Sequence, residues 1–358
     1  MKTLSNRLLA SALCLGLSLA APIAAHVQSI QAPEKWDPDY EPPRMPDGTP
    51  SFDGVWSKSS LTTLERPDNF DELVIPPAVA QGLERRNAQM AEASNLPTDP
   101  NEGAPEAGQG VEAYNTFWMD PGTHYGVING EYRSSWVVDP ADGKLPYSED
   151  GRKRIGANRA RRASSGSADH PEQRSSGERC TVGFGSSGAP PMLNVLYNNN
   201  IQFFQAPDVV SILVEMNHNA RMVRLGGEYR TDDLHQWLGD SIGHWEGDTL
   251  VVETTNFHPE HSMRGAIRHF MYLEPDTVVE ERFTRVADDV IFYEFTVTDP
   301  DLFTQPWKGE MPLWKAEGPI YEYACHEGNY SLPGILAGAR REEAEAAEAA
   351  SGRSSGTQ

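Results

Sequence analysis

The chain is poor in cysteine, poor in positive charge, and has no long apolar run beyond its first residues. Only 3 cysteines occur in 358 residues, which excludes a disulfide-dense miniature scaffold and a cysteine-rich metal fold. Lys and Arg number 30 against 52 Asp and Glu, for a formal charge of −22. Nucleic acid and anionic membrane surfaces demand a basic footprint, so neither is an expected partner. After the N-terminus no stretch approaches the roughly 18 apolar residues of a membrane helix, so no membrane insertion of the mature chain is expected. No internal repeat of fixed period is present. The glycine-rich "FGSSGAPP" at 184–191 lacks the Lys and following helix of a phosphate loop, and no cofactor is implied.

What is present begins with an export signal. Lys2 and Arg7 precede an apolar run from Leu8 to Ala21, and small residues follow through Ala25, the layout of a cleavable signal peptide over 1–25. Leu13 precedes Cys14, and no cysteine stands where a lipoprotein signal needs one. Localisation is therefore expected to be periplasmic or extracellular. Cleavage would leave Cys180 and Cys325, an even pair in an oxidising compartment; a disulfide is expected, with reactive thiols as the alternative.

Residues 26–50 are proline-rich and read as an extended lead-in. A single β-barrel domain is expected over 51–338, with helical insertions near 75–94 and 149–162, loops at 95–110 and 163–177, and a tail at 339–358 that is helical, then disordered. Between Pro191 and Tyr323, short β-branched and aromatic runs alternate with turn residues. That texture predicts a mostly β, antiparallel sandwich or barrel. "MLNVLY", "IQFFQ", "VVSILVE", "ARMVRL", "DTLVVETTNF", "TVVEERFTRV" and "VIFYEFTV" are the predicted strands. Their period-two alternation predicts one inward and one outward face.

Two resemblances follow. "FDGVW" at 52–56 resembles the Gly-x-Trp opening of lipocalin-like barrels, which implies a Trp plugging one barrel end. "PDGTPSFDGVW", "ERCTVGFGSSGAPPMLNVLYNNN", "GHWEGDTLVVETTNF" and "YEYACHEGNYSLPGIL" resemble segments shared by a large group of secreted bacterial proteins that lack an assigned activity. This resemblance implies the compartment and the fold, a lipocalin-like antiparallel barrel with N-terminal helices and long loops. It implies no catalytic residue.

Gly239 to Gly243 match G-x-S-x-G, but a turn and a strand follow where a nucleophile elbow needs a helix, so Ser241 is read as part of a tight turn. Six of the ten histidines fall between His218 and His269. His258 and His261 flank Pro259 and Glu260, the one pair read as an alternative metal site, against exposed loop histidines. Asn194, Gln202, Glu215, His218, Arg221, Glu253, Asn256, Tyr293 and Glu294 are polar residues in apolar strand regions. They either face water or form a network.

Glu215 and His218 flank a predicted hairpin turn with Arg221 nearby, and a carboxylate beside an imidazole suits proton transfer near neutral pH. His326 follows Cys325, where a bridge would hold it rigidly. His124, Trp118, Tyr125 and Arg133 make the polar and aromatic mix of small-molecule pockets. The catalytic candidates are thus His218, Glu215, Arg221, His124 and His326; the substrate-contact candidates are Trp118, Tyr125, Arg133, Asn194, Gln202 and Tyr293. The expected function is a barrel enclosing a small apolar or aromatic molecule. It either transforms that molecule by acid–base chemistry of lyase, hydratase or isomerase type, or carries it without chemistry; a metal-dependent enzyme and a solidly packed interaction module are the other readings. Oligomeric state is not specified.

Overall fold

The computed structural model describes residues 33–95, 119–164, 168–230 and 234–354. The expected signal peptide, Trp118 and most of the expected 95–110 loop lie outside them. The first elements are β1 (Val55–Ser57), β2 (Val74–Ile75), α1 (Pro77–Ser94), β3 (Val127–Ile128), β4 (Glu131–Arg133), β5 (Val137–Asp139) and α2 (Glu149–Ser164). Next come β6 (Asn200–Ala206), β7 (Val209–Val214), β8 (Asn219–Leu225), β9 (Asp240–Glu246) and β10 (Thr249–Thr255). The chain ends with β11 (Met263–Ala266), β12 (His269–Tyr272), β13 (Val278–Ala287), β14 (Val290–Thr298), β15 (Trp307–Lys315) and α3 (Ser331–Ser354).

The fold is mostly β, as the strand texture predicts. The strands run β1-β6-β7-β8-β9-β10-β13-β14-β15, and β1 pairs back onto β15 through Trp56↔Lys315 and Ser57↔Trp314. These nine strands close a barrel, and closure removes the exposed edges that an open sheet carries. β5 adds to the outside of β15, while β2, β4 and β3 form a small separate sheet. One departure from the antiparallel expectation is the β8–β9 seam, which is parallel and pairs only Val223 to Leu225 with Ser241 to Gly243. Parallel pairing means that β8 and β9 are not joined as a hairpin. Nine strands and a parallel seam also depart from the eight antiparallel strands of lipocalin barrels.

Local chemistry explains most elements. α1 starts on Pro77, whose fixed φ and missing N–H suit a first helical position, and continues in Ala, Gln, Leu, Glu, Arg and Met. "MLNVLY" is the exception among the predicted strands. Its residues 192–195 are buried, yet it joins no ladder, because other partners take its polar groups: Asn199 Oδ1 accepts from Val195 N–H, Asn199 Nδ2 donates to Val195 O, Leu193 N–H donates to Ser186 O and Leu196 O accepts from Asp120 N–H. α3 begins at Ser331, ahead of the tail boundary expected at 339.

The barrel interior is filled. Val279, Glu281, Phe283 and Arg285 are the buried alternate residues of β13, and Ile291, Tyr293, Phe295 and Val297 are their counterparts on β14. Trp56, Phe203, Trp307, Met311 and Leu313 pack with them in one core. The expectation of a ligand enclosed by the barrel is therefore corrected: aromatic side chains and a buried ion pair occupy that space. Arg221 is bidentate to Glu281, with Nη2 at 3.0 Å from Oε1. Tyr293 donates to the same oxygen at 2.7 Å and accepts from Met192 N–H at 2.8 Å. Burial pushes the Tyr293 phenol far up and keeps it a donor. Trp56 is covered by the Arg285 guanidinium, 5.4 Å from the ring centroid.

Removing one partner of a buried pair leaves an uncompensated charge, which costs about 3–5 kcal/mol. Glu281→Gln should lower unfolding free energy by that order in urea titrations. Glu280→Gln, one residue away on the outward face, should change it by less than about 0.5 kcal/mol. Equal effects would refute the pairing as an organising contact.

Cys180 and Cys325 are bonded, with Cα atoms 5.7 Å apart. The bond ties the segment between β15 and α3 to the 168–183 loop, where Asn329 Nδ2 also donates to Glu178 O at 2.7 Å. The barrel closes without this bridge. Reduction should therefore raise hydrogen exchange at 320–340 well before it does so in β13 and β14. Peptide mapping without reductant should recover the Cys180–Cys325 pair.

Candidate functional site

The barrel's closure seam carries a groove of about 400 Å³ on its outer side. β1 has only three residues, and its last two pair with Lys315 and Trp314 at the end of β15, where Trp314 is half-buried and Lys315 exposed. Against this seam stands a satellite core of Ile75, Ala80 and Tyr132, joined by Phe70, Tyr125 and Val127. Tyr125, Val127 and Tyr132 form one wall of the groove and Trp314 with Lys315 the other.

The loop carrying His124 is stitched to the seam by backbone. His124 O accepts from Leu61 N–H at 2.8 Å and from the Ser60 hydroxyl at 3.0 Å. Gly122 (φ +86) permits this approach: a Cβ there would meet Ser60 N at 2.3 Å, so only glycine fits both the left-handed backbone and the space. Glu84 of α1 has two oxygens and two tasks. Oε1 accepts from Tyr125 N–H at 2.9 Å, and Oε2 lies 3.5 Å from His124 Nδ1.

The Glu84 side chain is 12% exposed and that of His124 77% exposed. A largely buried carboxylate thus holds one nitrogen of a largely exposed imidazole and leaves Nε2 toward solvent. The hydrogen bond to Glu84 raises the His124 pKa, partial burial opposes it, and the carboxylate's charge adds to the rise. Burial raises the Tyr125 phenol. The arrangement is an oriented imidazole–carboxylate pair beside an aromatic groove with an exposed ammonium, Lys315, at its rim.

The other sequence-derived candidates lie elsewhere. Glu215 and His218 do not meet. Asn217 and His218 both have left-handed backbone, φ 58° and 41°, and this reversal turns the two side chains into different grooves. His218 is exposed in a groove of about 710 Å³ with Trp237, Arg224 and Asp240, the last two ion-paired at 2.6 Å. The Glu215 carboxylate accepts from Tyr321 N–H at 3.0 Å in another groove. Arg221 pairs with Glu281 inside the barrel and does not orient His218. His326 is exposed beside the bridge.

Three of the proposed contact residues are structural. Tyr293 sits in the core network. Asn194, fully buried, donates to Ser60 O and Thr62 O and accepts from Trp136 Nε1 at 2.9 Å. Arg133 is buried and donates to Glu131 at 2.6 Å. Gln202 is half-buried on β6 opposite Val55. Of the strand polar set, Asn194, Glu215, Arg221, Asn256 and Tyr293 are buried, not solvent-facing.

The alternative metal pair separates. His258 stacks on Trp237 at 3.9 Å and its Nδ1 accepts from Glu260 N–H. His261 is buried between Trp237 O and Gly185 O, and burial pushes it down to about 3. Among the described residues no three His, Cys, Asp or Glu side chains converge to hold a metal. Ser241 lies buried within β9 with its hydroxyl 2.8 Å from that of Thr254.

Sequence reasoning overlooked Glu84, Tyr132, Trp314 and Lys315. A signal for Glu84 existed: it follows Ala80 by four residues, and residues at that spacing share a helix face. Ala80 is the only fully buried residue of α1. Comparison with known proteins finds no matching family model, no matching curated protein and no matching solved structure.

The His124 pair predicts a titration. Proton NMR of the imidazole should give a pKa above the usual 6.5 or so, and Glu84→Gln should bring it back toward that value. Because the shift is upward, the pair stabilises the fold below about pH 6.5 and this contribution fades as pH climbs through the raised value. A pKa unmoved by Glu84→Gln would show that the contact is not made in solution.

Proposed function

We propose that the chain is an exported protein that takes a small apolar or aromatic molecule in the seam groove and moves a proton on it with His124. The observation that carries the reading is the His124 Nδ1 to Glu84 contact of 3.5 Å within the groove lined by Tyr125, Tyr132 and Trp314. A volume of about 400 Å³ suits a small ring compound. Glu84 fixes the imidazole's orientation and raises its pKa, so the neutral ring is the stronger base, taking a substrate C–H proton on Nε2 while Nδ1–H stays on the Glu84 carboxylate. The Lys315 ammonium stands where negative charge developing on a neighbouring oxygen would be stabilised. The reaction class is proton abstraction next to a carbonyl, of isomerase, hydratase or lyase type. Export is supported by the signal-like N-terminus, the disulfide and the resemblance to secreted proteins; among the described residues no helix is long and apolar enough to cross a membrane.

Acetophenone in D₂O tests both parts. Its ring signals should shift on binding, and its methyl protons should exchange faster than with an equal concentration of free imidazole. His124→Ala should lower that exchange by about a hundredfold or more, with a smaller loss for Glu84→Gln, while thermal unfolding stays near wild type. Binding without accelerated exchange would point to a carrier protein. Exchange that survives His124→Ala would sink the assignment.

A further inference from the structure

On another part of the surface, the chain after β15 crosses the barrel and returns to Cys180. Beneath it runs a groove of about 770 Å³ lined by three tyrosines, Tyr197, Tyr321 and Tyr323, and three carboxylates, Asp120, Glu215 and Glu322. Among the described residues that line it there is no Lys, Arg or His. We propose that this groove is a binding site for an organic ammonium ion, separate from the His124 groove.

Glu215 is the reason. It is 3% exposed, yet among the described residues no basic side chain stands within ion-pair distance of it. One oxygen accepts from Tyr321 N–H at 3.0 Å; the other has no hydrogen-bond partner among the described residues. A buried carboxylate without a counter-ion is costly, and here it lines an open groove. Asp120 adds to the cost. Its backbone is fixed by Leu196 O and by the Asn199 side chain, and its carboxyl is pushed up by partial burial, with the Glu215 charge adding to the effect. Two like charges facing one space with no cation between them favour a cation entering it.

The aromatic lining decides what sort of cation. Tyr323 is pushed up to about 12 by burial, with the neighbouring Tyr197 adding to the rise, so it stays a neutral ring. Both also pack on the barrel core, which leaves them little freedom. Tyr321 is 68% exposed at the mouth. Neutral tyrosine rings attract weakly hydrated cations through their faces. Hard metal ions require six or more convergent oxygens, and among the described residues no metal-holding group exists. An alkylated ammonium satisfies both halves of the lining: its charge meets Glu215 and its alkyl groups meet the rings.

Choline and its neutral carbon isostere, 3,3-dimethylbutan-1-ol, provide the test. On the full disulfide-bonded protein, choline should perturb tyrosine signals saturably and bind about tenfold tighter than the isostere. Glu215→Gln keeps an acceptor for Tyr321 N–H and removes the charge, so it should erase that preference. Tyr321→Ala, at an exposed position that does not depend on core repacking, should weaken choline several-fold and leave thermal unfolding unchanged. Equal affinity for the two probes would overturn the proposal in favour of a merely apolar groove. Displacement of choline by millimolar calcium chloride, with the same sensitivity to Glu215→Gln, would overturn it in favour of a hard-cation site. No saturable choline binding in wild type would also overturn it. None of these readings involves His124, so the seam-groove reading stands or falls separately.

Discussion

A guanidinium and a carboxylate in an apolar interior are each unfavourable alone, and the way Arg221 and Glu281 meet governs the rest of the molecule. They are held from β8 and β13, which are not neighbours in the sheet, so the pair spans the barrel. Tyr293 and Thr254 add hydrogen bonds from β14 and β10. Met192 N–H bonds the same phenol, drawing the 183–195 segment onto the barrel, where Lys58 Nζ donates to Ser187 O and Arg264 Nη1 to Pro190 O at 2.5 Å. Burial pushes the Lys58 ammonium down to about 7. A network of this extent must exclude bulk water, so the interior is committed to structure.

The two grooves proposed as sites lie outside that filled interior, and the flanking chain decides where. β1 and β15 close the barrel over only two residue pairs, which leaves the outer face of β15 available to α1 and the small β2-β4-β3 sheet. The C-terminal flank covers a different region and is fixed by the disulfide and by Tyr321 N–H on Glu215. Each groove is thus a joint between a rigid strand and a segment added from outside. This construction lets loops change without disturbing the core.

Sequence pattern reads well where the physics is local. The turns "WEGD", "APD" and "ADD" fall between paired strands, and period-two alternation correctly places Val279, Phe283, Ile291 and Val297 inside. The same alternation puts Glu281 inside, two residues from each of Val279 and Phe283. A charged residue at an inward position is easily taken as an error of register, and its partner Arg221 is 60 residues away. The His124–Glu84 pair escaped for a related reason: a Glu in a helix that also carries Arg85 and Arg86 looks like a solvated surface charge. Its burial depends on a loop 40 residues later packing against Glu84 and the chain just after β1, and the four-residue spacing from Ala80 places Glu84 on the right face without showing that cover. The Glu215–His218 expectation assumed a regular hairpin; left-handed backbone at 217 and 218 broke the symmetry on which it rested.

Three carboxylates with the same intrinsic chemistry end in different states because of what stands opposite them. Glu281 faces a guanidinium, which stays charged under all ordinary conditions, so its charge is permanently balanced and it is chemically quiet. Glu84 faces an imidazole, whose charge changes near neutrality; the balance there shifts with proton transfer, which is what a base and its orienting partner require. Glu215 faces only a backbone N–H and an open groove, so its charge is balanced by nothing within the described chain. Glu281 thus meets a permanent cation, Glu84 a titratable imidazole, and Glu215 no basic side chain among the described residues. The partner across each contact, more than the burial of the carboxylate itself, separates Glu281 from the two carboxylates on which the proposed activities rest.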